Sequence, residues 1–369
     1  MKYTRKARVL AAIHRQPLDY FPSQVDFTAA AAKVVKKALD LADLNDLLDN
    51  HIVDCYSLGS VEEYLQDPPI LQSAINAGLA ILDQDAAIAY DGWGVGWDLI
   101  PEGGWPRVHP LEDIRTYKNY KFPDPCRPQL MDLVRETVEK ESGKYFILAS
   151  HHTALFERAW ALRGFQNVLM DFYLNRSFLD DLYDRITEYQ IGLARQFIAA
   201  GVDGVRVGDD YGTQRGLIMK PDLWREVIKP RLKRIYEVYQ KAGIPVIHHT
   251  CGDVRSILDD FAQLGLDVLH PIQPLPMPIS SIPEKYYDLF SFFGGIDTQQ
   301  LLPFSSPEEI RISVRATIEK LGSHGGYIIS PAQAIMADVP LPNILALLSA
   351  IKEYRSVGCL NASKHNEVS

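Results

Sequence analysis

Gly243-Ile-Pro-Val-Ile-His-His-Thr-Cys-Gly252 is the stretch on which the fold turns. Gly243 stands where a helix would stop. An apolar, β-branched run follows, and its end carries a histidine and a cysteine before a second glycine lets the backbone turn away. The same cadence returns along the chain. From about residue 144, the apolar runs 145–149, 202–207, 246–249, 266–269, 290–293 and 327–329 alternate with stretches of helical period. Near-continuous apolar strands separated by helices are what a parallel sheet covered on both faces requires. Gly201-Val-Asp and Gly265-Leu-Asp mark the same helix-to-strand passage as Gly243-Ile-Pro. In Ser306-Pro-Glu-Glu309, serine, proline and glutamate spell a capping box with proline at the first helical position. Ile310, Val314, Ile318 and Leu321 then recur on one helix face, and Gly322 can end it. Pro230 is expected to end or kink the helix opened by Pro221-Asp222. The reading is α/β: a single (β/α)8 TIM barrel over residues 1–369, with no linker that would mark a second domain.

Residues 1–143 are less regular. Segments 21–27 and 51–58 read as strands, and Trp93-Gly-Val-Gly-Trp97 followed by Asp98-Leu-Ile-Pro-Glu-Gly-Gly104 reads as a small hairpin insertion near 92–104, covering one end. The glycines of Gly92-Trp-Gly-Val-Gly do not open a helix after a strand, which argues against a dinucleotide fingerprint.

At 47% hydrophobic and 23% charged residues, the composition is that of an ordinary globular chain. A formal net charge of -9 argues against a nucleic-acid partner. The basic residues Arg225, Lys229, Arg231, Lys233 and Arg234 read as a solvated helix face. Cysteines stand at 55, 126, 251 and 359 with no CxxC pair, and no apolar run has the length of a signal-peptide core or a membrane span. A cytoplasmic protein without membrane association is expected, which leaves Cys251 as a free thiol or a ligand.

In a barrel, the catalytic groups stand where strands end and loops begin. Here polar residues collect at those positions: Glu157, then Asp209, Asp210 and Gln214, then His249 and Cys251. His270 and Gln273, Asp297 and Gln299, and Gln333 follow at later strand ends. In extended backbone, residues two apart share a face, so His249 and Cys251 project together and supply two ligands of the kind a catalytic zinc takes. His248 points the opposite way, as a packed histidine. Asp209 and Asp210 also face opposite ways, so one can face the pocket while the other caps a loop or helix. His151-His152 divides in the same manner.

These stretches together resemble the uroporphyrinogen decarboxylase-like superfamily. The resemblance runs through Arg5-Lys-Ala-Arg-Val-Leu-Ala-Ala-Ile-His14, Asp19-Tyr-Phe-Pro22, Phe156-Glu-Arg-Ala-Trp-Ala-Leu-Arg-Gly-Phe165 and Gly208-Asp-Asp-Tyr-Gly-Thr-Gln214. It is densest at His249-Thr-Cys-Gly252, Pro271-Ile-Gln-Pro274, Gly294-Gly-Ile-Asp-Thr298 and Gly325-Gly-Tyr-Ile-Ile-Ser-Pro331, and closes on Asp338-Val-Pro340 and Asn343. The heme-pathway decarboxylases of that superfamily need no metal and grip substrate carboxylates with an early arginine-rich segment. This chain has Ser23-Gln-Val-Asp-Phe27 there, without an arginine cluster. The cobamide-dependent methyltransferases use a His-x-Cys pair and a later cysteine to bind zinc. Here Gln333 stands where that later cysteine is expected, so a third ligand has to come from Asp209, Asp210, Glu157 or water.

The resemblance therefore implies a methyltransferase, nearer the cobamide branch. It would move a methyl group between a small methylated compound, such as a methoxylated aromatic, and a corrinoid carried by a separate protein, since no Asp-x-His-x-x-Gly cobalamin motif occurs in this chain. His249 and Cys251 would hold zinc; Asp209, Asp210, His249 and Glu157 would be catalytic; and Gln333, Gln273, Asp297 and Gln214 would bind substrate. The alternatives are a metal-free decarboxylase or lyase and a non-catalytic barrel that binds a tetrapyrrole or small ligand.

Overall fold

Seven strands of the chain pair in parallel, in sequence order, and curl into the wall of a barrel. The structure, a computed structural model, describes residues 3–100, 104–357 and 359. The barrel strands are β1 (Ile52–Tyr56), β2 (Phe146–His151), β3 (Gly204–Gly208), β4 (Val246–His249), β5 (Val268–Ile272), β6 (Ser291–Ile296) and β7 (Tyr327–Pro331). Segment 21–27 closes the ring between β7 and β1. Gln24 N donates to the Ile329 carbonyl (2.9 Å), Ile329 N to that of Pro22 (2.9 Å), and His51 N to that of Ser23 (3.1 Å). It is not the regular strand expected from its sequence. Pro22 has no N–H to give. Side chains replace ladder bonds instead: Asn50 bonds both the N–H and the carbonyl of Val25, and Gln24 Oε1 accepts from Ile52 N.

Several strands start one or two residues later, and end one to three residues later, than their apolar runs suggest, as β3, β5 and β6 show. Val202 and Leu266 are buried in the turns that enter the sheet, while glycines and polar residues at the far end still pair. Burial alone therefore marks the strand starts too early.

The expected hairpin is the centre of a larger antiparallel meander of Ile81–Asp83, Ile88–Tyr90, Gly96–Asp98 and Pro106–Val108. Of the turn expected over 98–104, residues 101–103 lie outside the described residues. Pro230 does not end its helix. A π-helical turn, Trp224–Ile228, leads directly into Lys229–Lys241, which is one way a helix accommodates the missing N–H. The basic run is a solvated face only in part: Lys233 and Arg234 are exposed as expected. Arg231 is buried against Asp184 and the Val227 carbonyl, and Arg225 and Lys229 both grip Asp260. The capping box at Ser306 and Glu309 forms as read, with Pro307 in the first turn.

The inside of the barrel has two levels. Ile52, Phe146, Leu148, Ile247, Val268, Phe293 and Ile328 form an apolar floor, sealed from below by Val9, Ala12 and Ile13 of the helix Arg5–Ile13. Side chains of a strand alternate faces. Two residues beyond Ile52, Leu148, Ile247, Val268 and Ile328, the same inward face therefore presents Asp54, Ser150, His249, His270 and Ser330.

Candidate functional site

The mouth level opens into a cavity of about 370 Å³. Its wall includes His249, His270, Arg206, Asp26, Asp54 and Gln333. Parallel register puts His249 beside Gly208 on β3 and beside His270 on β5. The backbone then turns at Gly252, with φ near 84° and the backbone of Gly212 packed against it, so a side chain at either glycine would collide with the other loop. That close approach brings the loops after β3 and β4 together and sets Asp210 against the His-x-Cys pair.

Asp210 Oδ1 accepts from the Cys251 N–H (2.8 Å) and lies 3.5 Å from His249 Nε2, which is itself 3.6 Å from Cys251 Sγ. The carboxylate, imidazole and thiol offer ligand atoms that all lie within 4.8 Å of one another. Tetrahedral zinc with bonds of about 2.0 Å to N or O and 2.3 Å to S separates its ligand atoms by roughly 3.3–3.8 Å. The donor set fits zinc, and the separations of His249 from Asp210 and Cys251 already match that spacing. Gln333 Nε2 donates to Cys251 Sγ at 3.0 Å, so its amide stands beside the thiol.

The two adjacent aspartates separate completely. Asp209 is fully buried, and its carboxylate accepts from the N–H groups of Leu155, Phe156 and Glu157 and from the Tyr211 hydroxyl. It thereby holds the start of the helix Phe156–Arg163 and Glu157 with it. Asp210 alone of the pair faces the His-x-Cys group. Glu157 stands beside Asp210; burial, then the charges of Asp210 and Asp209, hold its carboxyl well above the usual range.

Among the other candidates, Gln273 braces the site from behind, its Oε1 accepting from Gly252 N at 2.7 Å. Asp297 accepts from the N–H groups of Gln299, Gln300 and Leu301 and so caps the short helix after β6. Gln214 is exposed in the turn of the hairpin Gly212–Thr213 and Gly216–Leu217, away from the cavity wall. His248 packs outward, stacked on Tyr211 and bonded to the Tyr236 hydroxyl. His151 also faces outward, between Gln190 and Tyr239, while His152 lines the cavity.

Sequence reasoning passed over Arg206, Asp54, Asp26 and Glu63. Arg206 lies 3.3 Å from Asp54, and the charges of Asp54, Glu63 and Asp26 hold its proton firmly despite burial. The signal was there as alternation: Val205-Arg206-Val207 and Val53-Asp54-Cys55 put one polar residue on the inward face of an apolar strand. Also missed is the buried ion network in which Arg158 joins Glu62 (2.6 Å) and Asp91 (2.7 Å), pinning the meander to the helix after β2.

Burial sets the protonation of the central groups. It lowers His249 to about 4 against the opposing charge of Asp210, holds His270 well below its ordinary value, and pushes the Cys251 thiol up, with Asp210 adding to the shift. No helix among the described residues is long and apolar enough to cross a membrane.

A parallel barrel with its ionisable side chains gathered at the carboxyl ends of its strands has the architecture of the TIM-barrel class. The model of the uroporphyrinogen decarboxylase (URO-D) family matches residues 74–354, and the chain belongs to that family. Among curated relatives, a uroporphyrinogen decarboxylase of Thermus thermophilus is 24% identical over 316 residues, covering 80% of this chain and 87% of its own. One from Actinobacillus succinogenes is 23% identical over 368 residues, covering 96% and 98%. Among solved structures, a methyltransferase from Methanosarcina mazei superposes with a TM-score of 0.68 over 96% of this chain and 99% of its own, at 18% identity. At that identity the superposition shows the shared fold.

Proposed function

We propose that this barrel is a metal-assisted methyltransferase that moves a methyl group between a small methylated compound and a corrinoid carried by a separate protein. The observation that carries the reading is the cluster of Asp210, His249 and Cys251 at the barrel mouth, spaced as ligands of one zinc ion. Asp210 takes the place the family resemblance reserves for a later cysteine, and Gln333 keeps the thiol hydrogen-bonded from the far side. Zinc at this position supplies Lewis-acid polarisation of the heteroatom that carries the methyl group.

The chain's own groups do the rest. When the bond between methyl and an ether oxygen breaks, the electron pair stays on the oxygen, which takes up a proton; a cationic ammonium donor leaves as the neutral amine and needs none. Glu157, whose carboxyl is held well above the usual range by burial and by its acidic neighbours, stands beside Asp210 as the group in this chain suited to donate that proton. Asp209 acts at one remove, by anchoring the helix turn that carries Glu157. Gln273 keeps the Gly252 turn in place. The cavity wall sets three carboxylates, Asp26, Asp54 and Glu63, against the single guanidinium of Arg206. That balance disfavours a polycarboxylate substrate and suits a neutral or cationic methyl donor.

The test uses the full chain loaded with zinc, a panel of methoxylated aromatics and methylamines, and free cob(I)alamin as acceptor. Zinc near one equivalent, and formation of methylcobalamin from one donor class, are the expected results, with Cys251→Ala losing both. A chain that stays metal-free after zinc loading, or that releases carbon dioxide from a cyclic carboxylate without metal, would replace this reading with the decarboxylase one.

A further inference from the structure

His249 and His270 stand opposite each other on β4 and β5, and in parallel register such a pair projects to the same face. Their Nδ1 atoms are 3.0 Å apart. Two like atoms at that distance share one proton: a neutral imidazole has one donor nitrogen and one acceptor, so one ring gives and the other receives. The second nitrogen of His249 settles which. His249 Nε2 is the atom that lies 3.5 Å from Asp210 and 3.6 Å from Cys251, so a metal bound among them needs its lone pair. The His249 proton must then sit on Nδ1. In the opposite assignment His249 Nε2 would carry hydrogen toward Asp210, and no lone pair would face the cluster.

We infer that His270 is the positioning residue of this centre, accepting the Nδ1–H of His249 and so fixing its metal-binding tautomer and ring orientation. The inference rests on the proposed metal site and deepens it. His270 is itself held in place. Its ring lies 4.5 Å from that of Phe293 at 52°. A histidine ligand oriented by an acceptor on its other nitrogen is the arrangement that makes such ligands effective, and loss of the acceptor costs about 10–100-fold in metal affinity.

The experiment compares wild type, His270→Leu and His270→Gln for zinc affinity by chelator competition and for the visible bands of the cobalt(II)-loaded protein. Leucine removes the acceptor, and glutamine offers another through its side-chain oxygen. Zinc binding weakened about 10–100-fold in the leucine variant, with shifted cobalt bands and recovery in the glutamine variant, is the expected outcome. Nitrogen NMR of wild type with labelled histidine gives a reading that needs no variant to fold: His249 protonated at Nδ1 in the zinc-loaded chain. A folded leucine variant that keeps wild-type zinc affinity overturns the inference and leaves the metal site standing, whereas finding that proton on His270 Nδ1 overturns the inference and removes His249 from the ligand set. A wild-type chain that binds neither zinc nor cobalt overturns the inference and the metal site together.

Discussion

The floor and the mouth of the barrel are built by the same strands, on the same inward face, two residues apart. At the floor, Ile247 packs with Val268, Phe146 and Ile328 under the seal of Val9 and Ile13. One alternation later, β4 and β5 present His249 and His270 to a cavity. The difference is access to water. A polar group at the sealed floor would lose its solvation with nothing in return, whereas the mouth is open enough for charged groups to keep partners or solvent. Stability and chemistry are thus separated along each strand, and substitutions at the two levels should separate as well.

The largest effect is expected at the floor. Ile247→Ala removes a fully buried side chain and should destabilise the fold by about 3 kcal/mol, while zinc affinity stays within about twofold. Urea unfolding and chelator competition on the same preparation check it. A variant that loses zinc in proportion to its stability would show that the two levels are coupled.

The floor should also be acid-sensitive at its rim. His51 is fully buried, takes a hydrogen bond from Arg8 at its Nε2 and gives one to the Asp49 carbonyl from Nδ1; burial lowers it to about 4. The unfolded chain takes up this proton below about pH 6.5 and the folded chain only near 4. Stability is therefore complete above about 6.5 and is lost as pH falls toward 4, by up to about 3 kcal/mol. His151 at about 4 and His248 at about 3 push in the same direction. His51→Gln should flatten the dependence by its own share, and an unchanged slope between pH 6.5 and 4.5 would show that the imidazole is not held neutral.

The smallest effect belongs to the mouth. Gln333→Cys adds a thiol beside Cys251 and should tighten zinc about tenfold, with a melting temperature, measured metal-free, that barely moves. Methyl transfer should fall, because a closed coordination sphere leaves less room for the donor. Unchanged zinc affinity in a folded variant places residue 333 outside the metal's reach.

Much of the fold was legible because its strands are apolar on both faces, and that pattern needs no partner to be recognised. Segment 21–27 was harder. Its composition reads as a strand, but its bonds come from Asn50 and Gln24, which only the closed ring brings into place. The site was legible in the same uneven way. His249 and Cys251 share a strand end, so local alternation predicts that they project together, and the structure brings their side chains into contact.

What the residues alone determined are these short-range matters: which runs become strands, which face a side chain takes, and that Asp209 and Asp210 must part company. Tertiary structure decided which of the two aspartates faces the thiol, that Gln333 reaches Cys251 from 82 positions away, and that His270 meets His249 nitrogen to nitrogen. The physical reason is range. Backbone geometry fixes direction over two or three residues, but the distance between two side chains on neighbouring strands depends on register, and register is set only when the whole ring closes.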